Sequence, residues 1–235
     1  MSEPQPKTSD LGVRVASALV MVAVAGTALG FGGRVWTAFV TAVAIGVLWE
    51  WWGLVRRFGS GAFGQFCWMF AGFAFVGFGA WFLGRQNWWP LALAVILPVI
   101  ATDVGAYFAG RSIGGPKIAP KISPSKTWAG LGGGILGASL IVALGLFTQR
   151  GSFVCDGARW WHCTSDTGLV LSALLLGTVI ATTAQAGDFF ESWMKRRAGV
   201  KDSGRLIPGH GGVFDRVDGL LAVCVLFGTF RLVPL

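Results

Sequence analysis

The chain has 235 residues, 54% of them hydrophobic and only 13% charged, with a formal charge of +8. A soluble domain carries about 25% charged residues, so the composition excludes an ordinary soluble domain. The basic balance does not require nucleic acid, because in a membrane protein it first reflects cytoplasmic loops and anionic headgroups.

Residues 1–10 form a polar tail. Seven apolar runs follow, at 11–32, 36–54, 62–83, 88–110, 127–148, 168–187 and 213–234. Each approaches the roughly 20 residues a helix needs to cross a bilayer core. The predicted fold is all-α: a polytopic membrane bundle of seven, at most nine, helices, with residues 11–235 as a single membrane-embedded domain. A large sheet would leave backbone groups unpaired in lipid. The first run is long enough to span and lacks a small-residue cleavage site, so no cleavable signal peptide is expected. Pro98 predicts a kink in the fourth run. The sixth and seventh runs are expected to continue past the membrane surface.

The basic residues orient this layout. With the N-terminus inside, the inner segments hold Lys7, Arg14, Arg56, Arg57, the four bases of 111–126 and the six of 195–216. Only Arg34, Arg85, Arg150, Arg159 and Arg231 remain outside. The positive-inside bias therefore predicts a cytoplasmic N-terminus, an odd number of spans, and cytoplasmic loops at 111–127 and 188–217. Trp36, Trp88, Trp89, Trp160 and Trp161 then mark the outer interface, and Trp51 and Trp52 the inner one. Cys67 and Cys224 read as small apolar residues within spans. Cys155 and Cys163 share an outside loop where a disulfide is an open alternative, and His162 beside them is weak evidence for metal. Glycines 130, 133, 134 and 137 have the small-residue spacing of close helix packing.

Polar residues concentrate in three places. Asp103, Tyr107 and Arg111 stand at i, i+4 and i+8, on one helix face near a span end. Such an acid either lines a site or pairs with a base to hold helices together. The loop GGPKIAPKISPSKTWAG, 114–130, is kept non-helical by its prolines and glycines and projects three lysines. Ser125 or Thr127 can cap the helix that follows. Alone, this is an ordinary positive-inside loop.

The third and richest stretch is 187–218, GDFFESWMKRRAGVKDSGRLIPGHGGVFDRVD. Asp188, Ser192 and Lys195 share a helix face, and Glu191 can pair with Lys195. Asp215 and Asp218 share a face at the start of the last helix. Carboxylates without clustered Cys or His suit a hard cation such as Mg²⁺. The intervening IPGHGG turn could offer backbone N–H groups to phosphate oxygens. Together these features point to phosphoryl or nucleotidyl transfer, against a plain salt-bridged loop. Glu50, in LWEWW, is a lone acid that belongs to a site or, as the favoured reading, reaches water at the interface.

The run Ser192-x-x-Lys195-Arg196-x4-Lys201-Asp202-x-Gly204-x2-Ile207-Pro208-Gly209-His210-Gly211-Gly212-x2-Asp215-Arg216-x-Asp218 resembles the C-terminal motif of phosphatidate cytidylyltransferases. Gln185-x-Gly187-Asp188, Asp103-x-x-Ala106-Tyr107-x-x-Gly110-Arg111 and Ile122-Ser123-Pro124-x-Lys126-Thr127 also fit, in order. The resemblance is close over 100–218 and loose upstream. It implies transfer of CMP from CTP to phosphatidic acid, giving CDP-diacylglycerol and pyrophosphate, by a multi-pass homodimer of the inner membrane with a cytoplasmic site. It implies Asp188 and Asp215 as ligands of Mg²⁺, with a second, monovalent cation left open, and Asp218 and Asp202 as supporting acids. Lys126, Lys195, Arg196, Lys201, Arg216 and Arg111 would hold phosphates. His210 would orient phosphate or stabilise its turn, and Asp103, Tyr107 and Ser123 would line the substrate site. One departure is Ala129, where the family commonly has Glu. A transporter would expect acids deep in mid-span, and here they gather at one face.

Overall fold

A computed structural model describes residues 8–86, 89–149 and 166–232. Seven helices and one hairpin make up the described chain. They are α1 (Thr8–Phe31), α2 (Gly33–Val55), α3 (Ala62–Gly84), α4 (Trp89–Ser112), β1 (Lys117–Ala119), β2 (Ser123–Thr127), α5 (Trp128–Gln149), α6 (Asp166–Arg197) and α7 (Phe214–Leu232). The all-α expectation holds. Six of the helices are long and apolar enough to cross a membrane. The exception is α7, whose 19 residues include Asp215, Arg216, Asp218 and Arg231. Its uncharged run, 219–230, would rise only about 18 Å at 1.5 Å per residue, short of a hydrocarbon core of about 30 Å. Seven spans were expected and six qualify. The expected features at Lys7, Trp88, Arg150, Arg159, Trp160, Trp161, His162 and the Cys155–Cys163 pair lie outside the described residues.

The chain separates into two compact units. The first comprises 1–89 and 191–235, the second 90–190.

The first unit is built on large side chains. α2 packs on α3, α3 on α7, and α1 on α2. Trp51, Leu54, Val55, Val76, Phe214 and Met194 are fully buried. Trp51, expected near the inner interface, is buried in the core: Gly72 on α3 leaves room for its ring, and its indole N–H donates to the Trp68 carbonyl at 3.0 Å. Trp36 is also buried, and donates to the Leu83 carbonyl at 2.9 Å. A buried indole keeps its apolar surface from solvent only if its N–H finds an acceptor, and both do. The outward face of α3 carries Phe63, Phe66, Phe70 and Phe73, all exposed, as a lipid-facing helix permits.

The second unit is built on small ones. Its buried residues include Ala92, Ala138, Ala173, Ala181 and Ala184. Gly130, Gly133, Gly134 and Gly137 of α5 face α4. A β-carbon on Gly133 would meet Gly105 and Ala109, one on Gly134 would meet Thr102, and one on Gly137 would meet Ala101. Close backbone approach is thus the observed use of this glycine series. α4 continues through Pro98, where the Thr102 hydroxyl donates back to the Pro98 carbonyl at 2.9 Å. The loop before α5 forms an antiparallel hairpin, Lys117 opposite Thr127 and Ala119 opposite Ser123. Thr127 is the cap: its hydroxyl accepts the Gly130 N–H at 3.0 Å.

Candidate functional site

In the first unit the last turn of α6 is basic, and the chain then turns through 198–213 into α7. Glu191 and Lys195 lie one helical turn apart, as their i, i+4 spacing dictates, 2.5 Å between charged atoms. The Glu191 side chain is 1% exposed. The same ammonium reaches Asp215 Oδ1 at 2.7 Å. One lysine therefore serves two carboxylates, one on each helix.

The other oxygen of Asp215 is equally occupied. Oδ2 accepts the Gly212 N–H at 2.9 Å and the Ser203 N–H at 3.1 Å, and the Ser203 hydroxyl lies 2.9 Å away. The cause is local: the first turn of a helix leaves N–H groups unpaired, and a carboxylate there satisfies them and meets the positive end of the helix dipole. A second carboxylate does the same from α2. Glu50 accepts the Val213 N–H at 3.0 Å and the Phe214 N–H at 2.8 Å, and shares with Asp215 the single Ser203 hydroxyl proton, whose oxygen lies 2.9 Å from each acid. Glu50 is 3% exposed. The expectation that it reaches water at the interface is corrected, because these donors pull it inward. Within the IPGHGG turn the N–H groups of Ile207, His210 and Gly212 have protein acceptors. The N–H groups of Gly212, Val213 and Phe214 bind carboxylates, and that of His210 binds the Ile207 carbonyl at 3.1 Å.

His210 stands in a turn closed by the Ile207–Gly211 bridge, with Gly209 and Gly211 at φ 74° and 85°, where only glycine is unstrained. Its Nδ1 lies 2.8 Å from the Ser17 hydroxyl on α1. Its carbonyl accepts the Arg216 guanidinium at 2.7 Å. Two of the predicted residues thus hold the turn together.

In the second unit Lys126 on β2 forms an ion pair with Asp188 on α6, each partly exposed. Asp103 on α4 lies within Coulombic range of both. Ser123, on the same strand, is buried. Arg111 donates to the Tyr107 hydroxyl at 3.3 Å, as their i, i+4 spacing predicts.

The structure brings together Lys195 and Asp215, Lys126 and Asp188, Tyr107 and Arg111, and Arg216 and His210. Asp188 and Asp215, the two expected metal ligands, fall in different units. Asp218 accepts its neighbour Gly219 N–H at 2.9 Å. Arg196, Lys201 and Asp202 are exposed. Sequence reasoning missed Ser203 and Ser17, and singled out Glu50 but favoured the interface for it. A charged residue in the apolar run of α2 was the signal for Glu50; Ser17 and Ser203 had none. Among the described residues no group of three or more His, Cys, Asp and Glu is arranged to hold a metal. The donor chemistry nevertheless suits a hard cation, and each expected ligand already holds a positive charge, Asp188 that of Lys126 and Asp215 that of Lys195.

Comparison with known proteins bears on this arrangement. Residues 59–233 match the model of the cytidylyltransferase family. The phosphatidate cytidylyltransferase of Brucella suis biovar 1 is 44% identical over 168 residues, which cover 69% of this chain and 56% of that protein. Those of Pseudomonas aeruginosa and Haemophilus influenzae are 42% and 40% identical over 145 and 140 residues, each covering 60% of this chain and 48% and 45% of those proteins. The chain spans about half the length of these curated relatives.

Proposed function

Because this chain belongs to the cytidylyltransferase family, we propose that it transfers CMP from CTP to phosphatidic acid, releasing pyrophosphate and forming CDP-diacylglycerol. The observation that carries the reading is the Lys195 ammonium fixed between Glu191 and Asp215 at the start of α7, within the family's matched region. In this reaction an oxygen of the lipid phosphate attacks the α-phosphorus of CTP. The bond to the β-phosphate oxygen breaks, and pyrophosphate leaves with its electron pair. The attacking phosphate is already anionic near neutral pH, so no strong general base is needed. What remains for the protein is positioning and neutralisation of charge.

Lys126, Arg196, Lys201, Arg216 and Arg111 are the proposed phosphate contacts. Lys195 keeps Asp215 ionised and in place. Ser123, Tyr107 and Asp103 line the lipid and nucleotide side in the second unit. Asp202 and Asp218 support the acid set, and His210 holds the Pro-Gly-His-Gly-Gly turn. Mg²⁺ is the proposed cofactor, and Asp188 and Asp215 are its candidate ligands. When bound it would neutralise the triphosphate. The proposed setting is the inner membrane, with the protein a multi-pass homodimer whose polar loops face the cytoplasm where CTP is available.

The test uses purified protein in detergent–lipid micelles with phosphatidic acid and α-labelled CTP. Labelled lipid and pyrophosphate are expected in equal amounts, and EDTA should abolish both. Labelled lipid formed undiminished in EDTA would remove Mg²⁺ from the reading. Folded protein that labels a different lipid phosphate or a lipid alcohol would change the acceptor and keep the transfer.

A further inference from the structure

The structure points to Glu50 as a positioning residue, and we infer that it sets the geometry of Asp215 by capping α7 from another helix. This inference deepens the proposed transfer and rests on that reading for its kinetic arm alone. Glu50 comes from α2, more than 150 residues away in sequence from its partners. It sits in an apolar run, almost fully buried. A carboxylate in such a place is expensive unless its oxygens are filled by donors. Its donors all belong to the segment that carries Asp215: the Ser203 hydroxyl, shared with that acid, and the N–H groups of Val213 and Phe214.

Ser203 connects the two acids. Its hydroxyl oxygen is 2.9 Å from Glu50 Oε2 and 2.9 Å from Asp215 Oδ2, and its N–H goes to Asp215. Glu50 and Asp215 thus divide the unpaired amides at the start of α7, Val213 and Phe214 to one, Gly212 to the other. Two glycines make the approach possible. A β-carbon on Gly204 or Gly212 would run into the Glu50 carboxylate. Neither has a positive φ, so space is what these positions require of the residue. The glycines at 204 and 212 are therefore explained by Glu50. Without Glu50 the Val213 and Phe214 N–H groups lose their acceptor, and Asp215 would be drawn to them and away from Lys195.

Glu50→Gln tests this with little change of shape. A glutamine amide supplies one acceptor oxygen, and its NH₂ must face an N–H donor in either orientation. The full chain in detergent–lipid micelles is followed by hydrogen exchange. Amides in 203–216 should exchange at least tenfold faster in Glu50→Gln, while the middle of α3 stays at the wild-type rate. With CTP and phosphatidic acid, kcat per folded molecule should fall at least 30-fold, with the KM for CTP within threefold. Glu50→Asp, which keeps the charge one methylene short, should recover part of both losses. It also carries the test if the glutamine variant does not fold. A loss of turnover explained by folded fraction alone would overturn the positioning role, as would wild-type exchange over 203–216. Wild-type protein that transfers no CMP would sink the proposed function, and the exchange result would still decide the role of Glu50.

Discussion

Lys195 holds its ammonium 2.7 Å from Asp215 while Glu191, one turn back on the same helix, lies 2.5 Å from it. The Lys195 and Asp215 side chains are only 15% and 10% exposed, and that of Glu191 1%. Removing one partner of a buried pair leaves the other charge uncompensated, at a cost of about 3–5 kcal/mol. Lys195→Met should therefore lower the thermal unfolding temperature strongly and abolish CMP transfer. Adding Glu191→Gln removes the second carboxyl that Lys195 faces. The double variant should regain part of the stability and none of the activity. If it unfolds no later than the single variant, repulsion between the two carboxylates is not what Lys195 offsets.

Asp215→Asn is not the silent substitution that its size suggests. Asp215 takes three N–H donors on two oxygens, from Lys195, Ser203 and Gly212, and shares the Ser203 hydroxyl with Glu50. An asparagine NH₂ must face either the Lys195 ammonium or the amides of Ser203 and Gly212, and an unmatched buried donor costs about 1–3 kcal/mol. The expected outcome is loss of turnover by at least 100-fold together with a measurable drop in unfolding temperature. Near-wild-type turnover would remove Asp215 from the reaction.

Lys126 offers the opposite balance. Its pair with Asp188 is partly exposed, 22% and 26%. Pairs of that kind contribute about 0–1 kcal/mol. Lys126→Ala should leave the unfolding temperature within a degree or two and reduce kcat/KM for CTP at least tenfold. A large stability loss with intact kinetics would make the pair a structural tie.

The helices were legible because lipid demands long apolar runs, and those runs are plain in the sequence. So were contacts set by local spacing: Glu191 with Lys195, Tyr107 with Arg111, and Thr127 capping α5. Contacts that cross the chain were not. Glu50 read as a lone acid because its donors lie more than 150 residues downstream, and two of them are backbone amides with no sequence signature. The burial of the Trp51 ring was not legible, because only the packed α2–α3 pair reveals the gap at Gly72 that admits it. The IPGHGG turn read as a phosphate cradle because its glycines free the backbone. The amides of its last residue, Gly212, and of Val213 and Phe214 after it face the carboxylates of Asp215 and Glu50.

The glycines of α5 give the second unit its own test. Gly132 and Gly133 are neighbours in sequence on different faces of one helix. A β-carbon on Gly132 would meet nothing within 4 Å, while one on Gly133 would run into the Gly105 carbonyl and the Ala109 methyl. Backbone cannot give way as a side chain can, so Gly133→Ala must push α4 and α5 apart, and overpacking of this kind costs about 1–3 kcal/mol. Gly132→Ala adds no contact and restricts the unfolded chain, with a gain of up to about 1 kcal/mol from helix propensity. The unfolding temperature in micelles should therefore fall for Gly133→Ala and hold or rise for Gly132→Ala. Because the Lys126–Asp188 pair belongs to the same unit, turnover should follow the same order. Equal effects from the two substitutions would mean that α4 and α5 do not meet at Gly133, and that the glycine spacing of α5 serves something other than their approach.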